Sequence, residues 1–308
     1  MNRHSSSLTG YLAAAFCICV WGTTYISSKI LLRVITPVEL LLIRFVIGYL
    51  VLWIIQPKRL RTESLRDEVR IAACGLTGIT LYYLLENVAL TFTQASNVGV
   101  IIAAAPFFTA LLSMLFGDKK RQPPRFYAGF VIAMAGICLL SFGGAAVSFH
   151  LKGDFLGFLA AVMWALYSIL CRKVYAKGYP VIPTTRRMFF YGILFMIVPV
   201  LTMGFHPAPS ELLRPVAAAN LLFLGVVGCA VCFIAWNYAV RVIGAVKTSI
   251  FIYLTPVVTV ISSVLLLDEI ITVPAAAGIV MTLAGLLMSS DLALPAVKKR
   301  KGGLLHES

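Results

Sequence analysis

Two opposite charges stand inside apolar runs of this chain, Arg44 and Glu86. Glu86 lies about six residues from the end of its run, about 9 Å deep at a rise of about 1.5 Å per residue. Arg44 lies about seven residues into the preceding run from the same side, so the two depths are similar. A carboxylate placed there in lipid costs about 2.5–3.5 kcal/mol on insertion scales, so it must face a cavity or a partner. Two arrangements satisfy that demand. The charges can neutralise each other as a structural ion pair. Or they can hold a zwitterion between them, the guanidinium taking a carboxylate bidentately and Glu86 taking the ammonium. Glu86 is also suited to proton exchange.

Other residues point to the same region. Trp21 and Trp164 lie near mid-depth, away from the interfacial belt where Trp usually sits, which suits a cavity lining. Tyr25, Tyr83 and Tyr253 are candidate substrate contacts, with packing or belt roles as the bland alternative, the reading also given to Tyr82, Tyr167 and Trp236. Asn87 and Asn237 are amides within apolar runs, and each must find a partner, either a neighbouring helix or a substrate. Pro106 and Pro256 sit mid-run. Each removes a backbone donor and disturbs the carbonyl four residues earlier, at Ile102 and Ile252. They are candidate kinks or gating points.

Several chemistries find no residues here. The four histidines, His4, His150, His206 and His306, lie in loops and tails, so no intramembrane relay or metal site is expected. No His-Glu-x-x-His, Gly-x-Ser-x-Gly or Walker pattern occurs. Cys229-x-x-Cys232 has redox spacing but lies in an apolar run without a second pair, and reads as packing. Neither an enzyme nor a bound cofactor or metal is expected.

The elements that position these residues come from a duplication. Residues 75–118 align with 225–268 at an offset of 150. Gly75, Gly78, Asn87, Ala89, Pro106, Thr109 and Asp118 fall on Gly225, Gly228, Asn237, Ala239, Pro256, Thr259 and Asp268. At an offset of 149, Gly129, Ala135 and Gly136 fall on Gly278, Ala284 and Gly285, and at 143, Trp21, Pro37 and Arg44 fall on Trp164, Pro180 and Arg187. The glycines read as close helix contacts.

The chain has 308 residues, 60% hydrophobic and 12% charged, with a mean hydropathy of +0.94. That composition supplies no polar surface and implies an all-α polytopic membrane protein. Spans of about 20 residues fit ten runs, near 10–30, 37–56, 71–92, 96–117, 125–143, 154–174, 184–204, 217–240, 246–267 and 274–290. Lys and Arg fall 21 to 4 on alternate sides, with Arg44 inside a span. That bias places both termini in the cytoplasm of a multi-pass cell-membrane protein. The net charge of +14 therefore implies anionic lipid headgroups as a partner, and no nucleic acid. Each repeat holds five spans, an odd number, so the second is inverted: 1–147 forms one unit, 148–290 the other, and 291–308 a basic cytoplasmic tail. Duplicated inverted units with paired helix breaks are a pointer to transport about a central site.

The chain resembles the EamA-type exporters of the drug/metabolite transporter superfamily. The resemblance is carried by residues 89–96 (Ala-Leu-Thr-Phe-Thr-Gln-Ala-Ser) and 105–113 (Ala-Pro-Phe-Phe-Thr-Ala-Leu-Leu-Ser). In the second half it rests on Tyr238-Ala239-Val240, Leu254-Thr255-Pro256 and Leu267-Asp268-Glu269, with Trp21-Gly22 and Arg44-Phe45 near the start. The family's first-half Leu-Gly-Glu is here Phe116-Gly117-Asp118-Lys119. The resemblance implies a 5+5 inverted repeat, a central cavity, alternating access and export of a small metabolite, amino acids among them, with protons as a second partner if Glu86 exchanges them. The competing readings are a sensor or assembly protein that moves nothing, and an intramembrane enzyme. The enzyme lacks the paired groups it needs, because Glu86 is the one clear intramembrane acid.

Overall fold

The apolar runs become helices whose ends are set by caps. The computed structural model describes residues 3–93, 95–116, 121–142, 150–207, 209–267 and 272–290. The expected basic tail and the Asp118 and Asp268 pair lie outside the described residues, as does the Tyr25 side chain. Span 1 is Arg3–Leu31, span 2 Pro37–Ile55, span 3 residues 65–92, span 4 residues 95–116 and span 5 Pro124–Phe142. Span 6 is Leu151–Tyr175, span 7 Val181–Met203, span 8 Pro215–Ile243, span 9 residues 245–267 and span 10 Val273–Ser289. Among the described residues nine of these are long and apolar enough to cross a bilayer, and span 10 has 17 residues, the lower bound for a crossing.

Several helices run past the expected apolar limits. Span 3 begins at Leu65 because Ser64 caps it, its Oγ accepting from Asp67 N at 3.3 Å. Span 2 begins with a capping box: Thr36 Oγ1 accepts from Glu39 N at 3.3 Å, and Glu39 Oε2 accepts from Thr36 N at 2.8 Å. Proline alone suggested that boundary. The cap is what satisfies the free N–H groups there.

The sequence repeats do not pack as separate bodies. Span 1 lies against spans 8 and 9, and its repeat mate, span 6, lies against spans 3 and 4. Span 2 packs on 7 and 8, span 7 on 2 and 3, and span 5 on 10. Each half therefore lends its first helix to the other half's third and fourth. The spans 5 and 10 contact shows the inverted symmetry directly. A Cβ at Gly136 would stand 2.8 Å from Gly278 O, and one at Gly278 would stand 2.7 Å from Gly136 O. Gly129 and Gly285 face each other in the same way, so each residue meets its partner's mate.

Spans 4 and 9 are broken at matching places. Span 4 turns at Ala104, and span 9 tightens to a 3-10 turn over Ile250–Tyr253, in each case just before Pro106 or Pro256. Spans 3 and 8 carry a second matched irregularity, π-helical stretches at Leu76–Leu81 and Phe223–Val231. Hydrophobic periodicity gave no sign of these. π-helical turns inside α-helices are frequent at functional sites.

The Lys/Arg-rich end is held by polar clamps. Asp67, 1% exposed, accepts from Lys177 Nζ at 2.6 Å, Arg70 at 3.0 Å and the Tyr179 hydroxyl at 3.1 Å. Glu68 pairs with Arg187 at 3.3 Å and accepts from the Tyr191 hydroxyl at 2.6 Å. Arg186 donates to the carbonyls of Gln56 and Lys58. The loop between spans 2 and 3 is thus tied to span 7. At the opposite end, the chain after span 7 is tied to span 2, His206 N donating to Glu39 Oε1 at 2.6 Å.

Candidate functional site

Spans 1, 2, 3, 6 and 8 bring a ring of side chains together. The guanidinium of Arg44 stands 4.9 Å from the Tyr83 ring. Tyr83 meets Tyr82 at 4.8 Å, Tyr82 meets Trp164 at 4.8 Å, and Trp164 meets Trp21 at 5.5 Å between ring centroids. Trp21 Nε1 donates to Gly228 O at 2.9 Å. A Cβ at Gly228 would stand 3.8 Å from Arg44 Nη2, which closes the ring. Glu86 is buried within it and accepts from the Tyr82 hydroxyl at 3.3 Å. Phe233 and Trp236, fully buried, pack across one side of the ring, at 5.8 Å and 5.2 Å from Trp21.

The π-helical stretches supply the ring's geometry. Gly78 in span 3 lies under the Tyr167 ring, so closely that a Cβ would overlap it. Gly228, the mate of Gly78, faces Thr24, the mate of Tyr167, and a Cβ there would stand 3.3 Å from Thr24 Cγ2. One half fills the position with an aromatic ring. The other half fills it with a small side chain, and the Arg44 guanidinium takes the room.

Arg44 and Glu86 do not form the ion pair that equal depth allowed. Among the described residues Arg44 has no carboxylate within 4 Å, and its Nε donates to Cys229 Sγ at 3.1 Å. Cys229 thus packs on the guanidinium rather than serving a redox pair. Two donors in the cluster, Trp164 Nε1 and Trp236 Nε1, are buried without an acceptor among the described residues. An unmet buried donor costs about 1–3 kcal/mol, so both are notable.

The other candidates are dispersed. Asn237 is fully buried in a network: the Tyr167 hydroxyl donates to its Oδ1 at 2.8 Å, and its Nδ2 donates to Thr185 Oγ1 at 3.0 Å. Thr185 in turn meets the Tyr175 hydroxyl at 3.1 Å. Asn87 is half-buried. Tyr253 sits in a separate core with Phe126, Ala133, Ile137 and Leu286, away from the ring. Pro106 and Pro256 stay with their helix breaks. A groove of about 550 Å³ follows the other face of span 8, lined by Ala13, Ile234, Ala235, Tyr238 and Arg241, and no ring residue lines it.

Sequence reasoning assigned Tyr82, Tyr167 and Trp236 to packing or the belt, and gave Phe233 and Thr24 no role. The repeat offset could have raised them. Glu86 falls on Trp236, Tyr83 on Phe233 and Thr24 on Tyr167, and these unlike mates surround the ring.

Comparison with known proteins bears on the family and the fold. The model of the EamA-like transporter family matches residues 8–142 and 151–291. A protein of Archaeoglobus fulgidus named an uncharacterized transporter is 28% identical over 285 residues, 91% of this chain and 96% of its own. A protein of Streptantibioticus cattleyicolor named a probable terminal-alkyne amino-acid exporter is 26% identical over 234 residues, 75% and 76% of the two chains. A solved crystal structure superposes with a TM-score of 0.72 at 17% identity, covering 94% of this chain and 97% of its own, which shows a shared fold.

Proposed function

From the premise that the chain belongs to the EamA-like transporter family and is a membrane transporter, we propose that it is a secondary carrier exporting a small, amino-acid-like metabolite. The observation that supports this is the ring where spans of both halves meet, with a base, an acid and indoles around one centre. Matched breaks in spans 4 and 9 support alternating access, because paired discontinuities let two halves change places about a fixed site. The Lys/Arg bias supports a cell-membrane location with both termini in the cytoplasm. The exporter named among its relatives supports the substrate class. Release is outward.

Glu86 is the coupling residue if protons drive export. Reconstituted vesicles carrying Glu86→Gln separate the two energy sources. Loss of proton-driven flux with counterflow intact supports antiport. Loss of neither removes Glu86 from the mechanism.

A further inference from the structure

We propose that Arg44 is the receptor for a carboxylate on the transported molecule. This rests on the export reading above, but not on the direction of flux or its energy source.

Arg44 is 5% exposed. Its contacts are one thiol, Cys229 Sγ at 3.1 Å, and the rings of Tyr83 and Phe45 at 4.9 Å and 5.7 Å. A guanidinium has five N–H donors in a fixed fork. Among the described residues a thiol and two ring faces leave most of them without an acceptor, and a buried guanidinium with no carboxylate within 4 Å is unfavourable. Its repeat mate behaves differently. Arg187 pairs with Glu68 at 3.3 Å and donates to Leu60 O at 3.4 Å, so a scaffold role accounts for Arg187 and not for Arg44. A second, independent donor points to the same ligand. Trp164 Nε1 is buried in the same ring without an acceptor among the described residues, whereas its mate Trp21 Nε1 is bonded to Gly228 O.

The chemistry selects among anions. A carboxylate meets the guanidinium fork with two parallel hydrogen bonds. Glu86 stands in the same ring, held by Tyr82, whose ring meets the Tyr83 ring that faces Arg44, so a second negative charge on the ligand would be repelled by it. A single carboxylate is favoured over a phosphate. The indole and tyrosine faces take the apolar body.

The experiment uses purified full-length protein and its tryptophan fluorescence, since indoles line the ring. The probes are leucine, leucinamide and 4-methylpentanoate, and phenylalanine, phenylalaninamide and 3-phenylpropionate. Probes with a free carboxylate are expected to bind at least tenfold more tightly than the amides. Arg44→Gln is expected to abolish that preference, and Arg44→Lys to keep part of it. If Arg44→Gln does not fold, Arg44→Lys decides: a preference as large as in the wild type overturns the assignment. Amides binding as well as acids overturn it, as do chloride alone reproducing the signal, an undiminished preference in Arg44→Gln, or no binding by any probe. The export reading fails separately. Carboxylates bound through Arg44 but never moved across vesicles would remove export and leave the receptor, whereas export of the amides alone would do the reverse.

Discussion

Gly78 and Gly228 are repeat mates, and the same substitution at each is expected to have unlike effects. Alanine in place of glycine within a helix gains about 1 kcal/mol of propensity at both sites. At Gly78 the new methyl overlaps the ring of Tyr167. That ring is fully buried, and its hydroxyl is bonded to Asn237 at 2.8 Å, so it cannot withdraw without breaking the bond. Overpacking costs about 1–3 kcal/mol and the hydrogen bond about 1 kcal/mol more. The net loss for Gly78→Ala is about 1–3 kcal/mol. At Gly228 the nearest atom is Thr24 Cγ2 at 3.3 Å, which needs to yield only a few tenths of an ångström, and Arg44 Nη2 at 3.8 Å is in ordinary contact. Gly228→Ala is expected to be neutral or up to about 1 kcal/mol stabilising. Thermal unfolding of the two variants in the same detergent reads the difference. Gly78→Ala should melt several degrees lower than Gly228→Ala, and Gly228→Ala should keep its fold. Equal melting points, or the reverse order, would refute the asymmetry argued for the ring.

Two further outcomes follow from the polar networks. Asn237→Ala leaves the Tyr167 hydroxyl without its amide acceptor and removes one of the partners of the Thr185 hydroxyl, a loss of about 1–3 kcal/mol, and should loosen the junction of spans 6, 7 and 8. Cys171 reports this, since its Sγ lies 3.6 Å from Asn237 Oδ1 and is buried; with Cys171 as sole cysteine, maleimide labelling should accelerate, and an unchanged rate refutes the role of the network. Asp67→Asn removes the charge that Lys177 and Arg70 hold at 2.6 Å and 3.0 Å. The loop carrying Lys58, Arg59 and Arg61 should then be cleaved faster by trypsin, and an unaltered cleavage rate would show that Arg186 and Arg187 hold it alone.

The ten crossings and their inversion were legible in the sequence because span length and charge bias are one-dimensional quantities. The site was legible only in part. Depth along a helix follows from counting residues, so Arg44 and Glu86 were placed at one level. Which way each side points around the helix was not readable, and Arg44 proves to be turned to Cys229 of span 8. Tyr253 was a candidate as an aromatic within an apolar run, yet its face joins Phe126 and Leu286 instead. The π-helical stretches were hidden because an altered register leaves apolar composition unchanged. They shift every later side chain around the axis, which is why Gly228 O comes to meet Trp21.

The ring joins like mates, Trp21 and Trp164, to residues whose mates differ, and the scaffold is built where mates agree. Glycines pack on their mates' partners in spans 5 and 10, and matched π-helical stretches lie in spans 3 and 8. Around the centre the mates diverge: Thr24 against Tyr167, Glu86 against Trp236, and Arg44 on a thiol against Arg187 on a carboxylate. Under alternating access, two identical inverted halves would have two end states of equal energy, since exchanging the halves turns one state into the other. Each unlike pair removes some of that degeneracy. Asn237 has both ends of its amide bonded, and Tyr167, Thr185 and Tyr175 continue the network between spans 6, 7 and 8. Its mate Asn87 is half-buried, and the mates of Tyr167 and Thr185 are Thr24 and Leu42, which do not reproduce the same set of side chains. The bonded side is the one that includes the Lys/Arg-rich end. Under the alternating access proposed above, the substitutions that build the ring would therefore also favour the state closed at that end, where the network of Asn237, Tyr167 and Thr185 is formed.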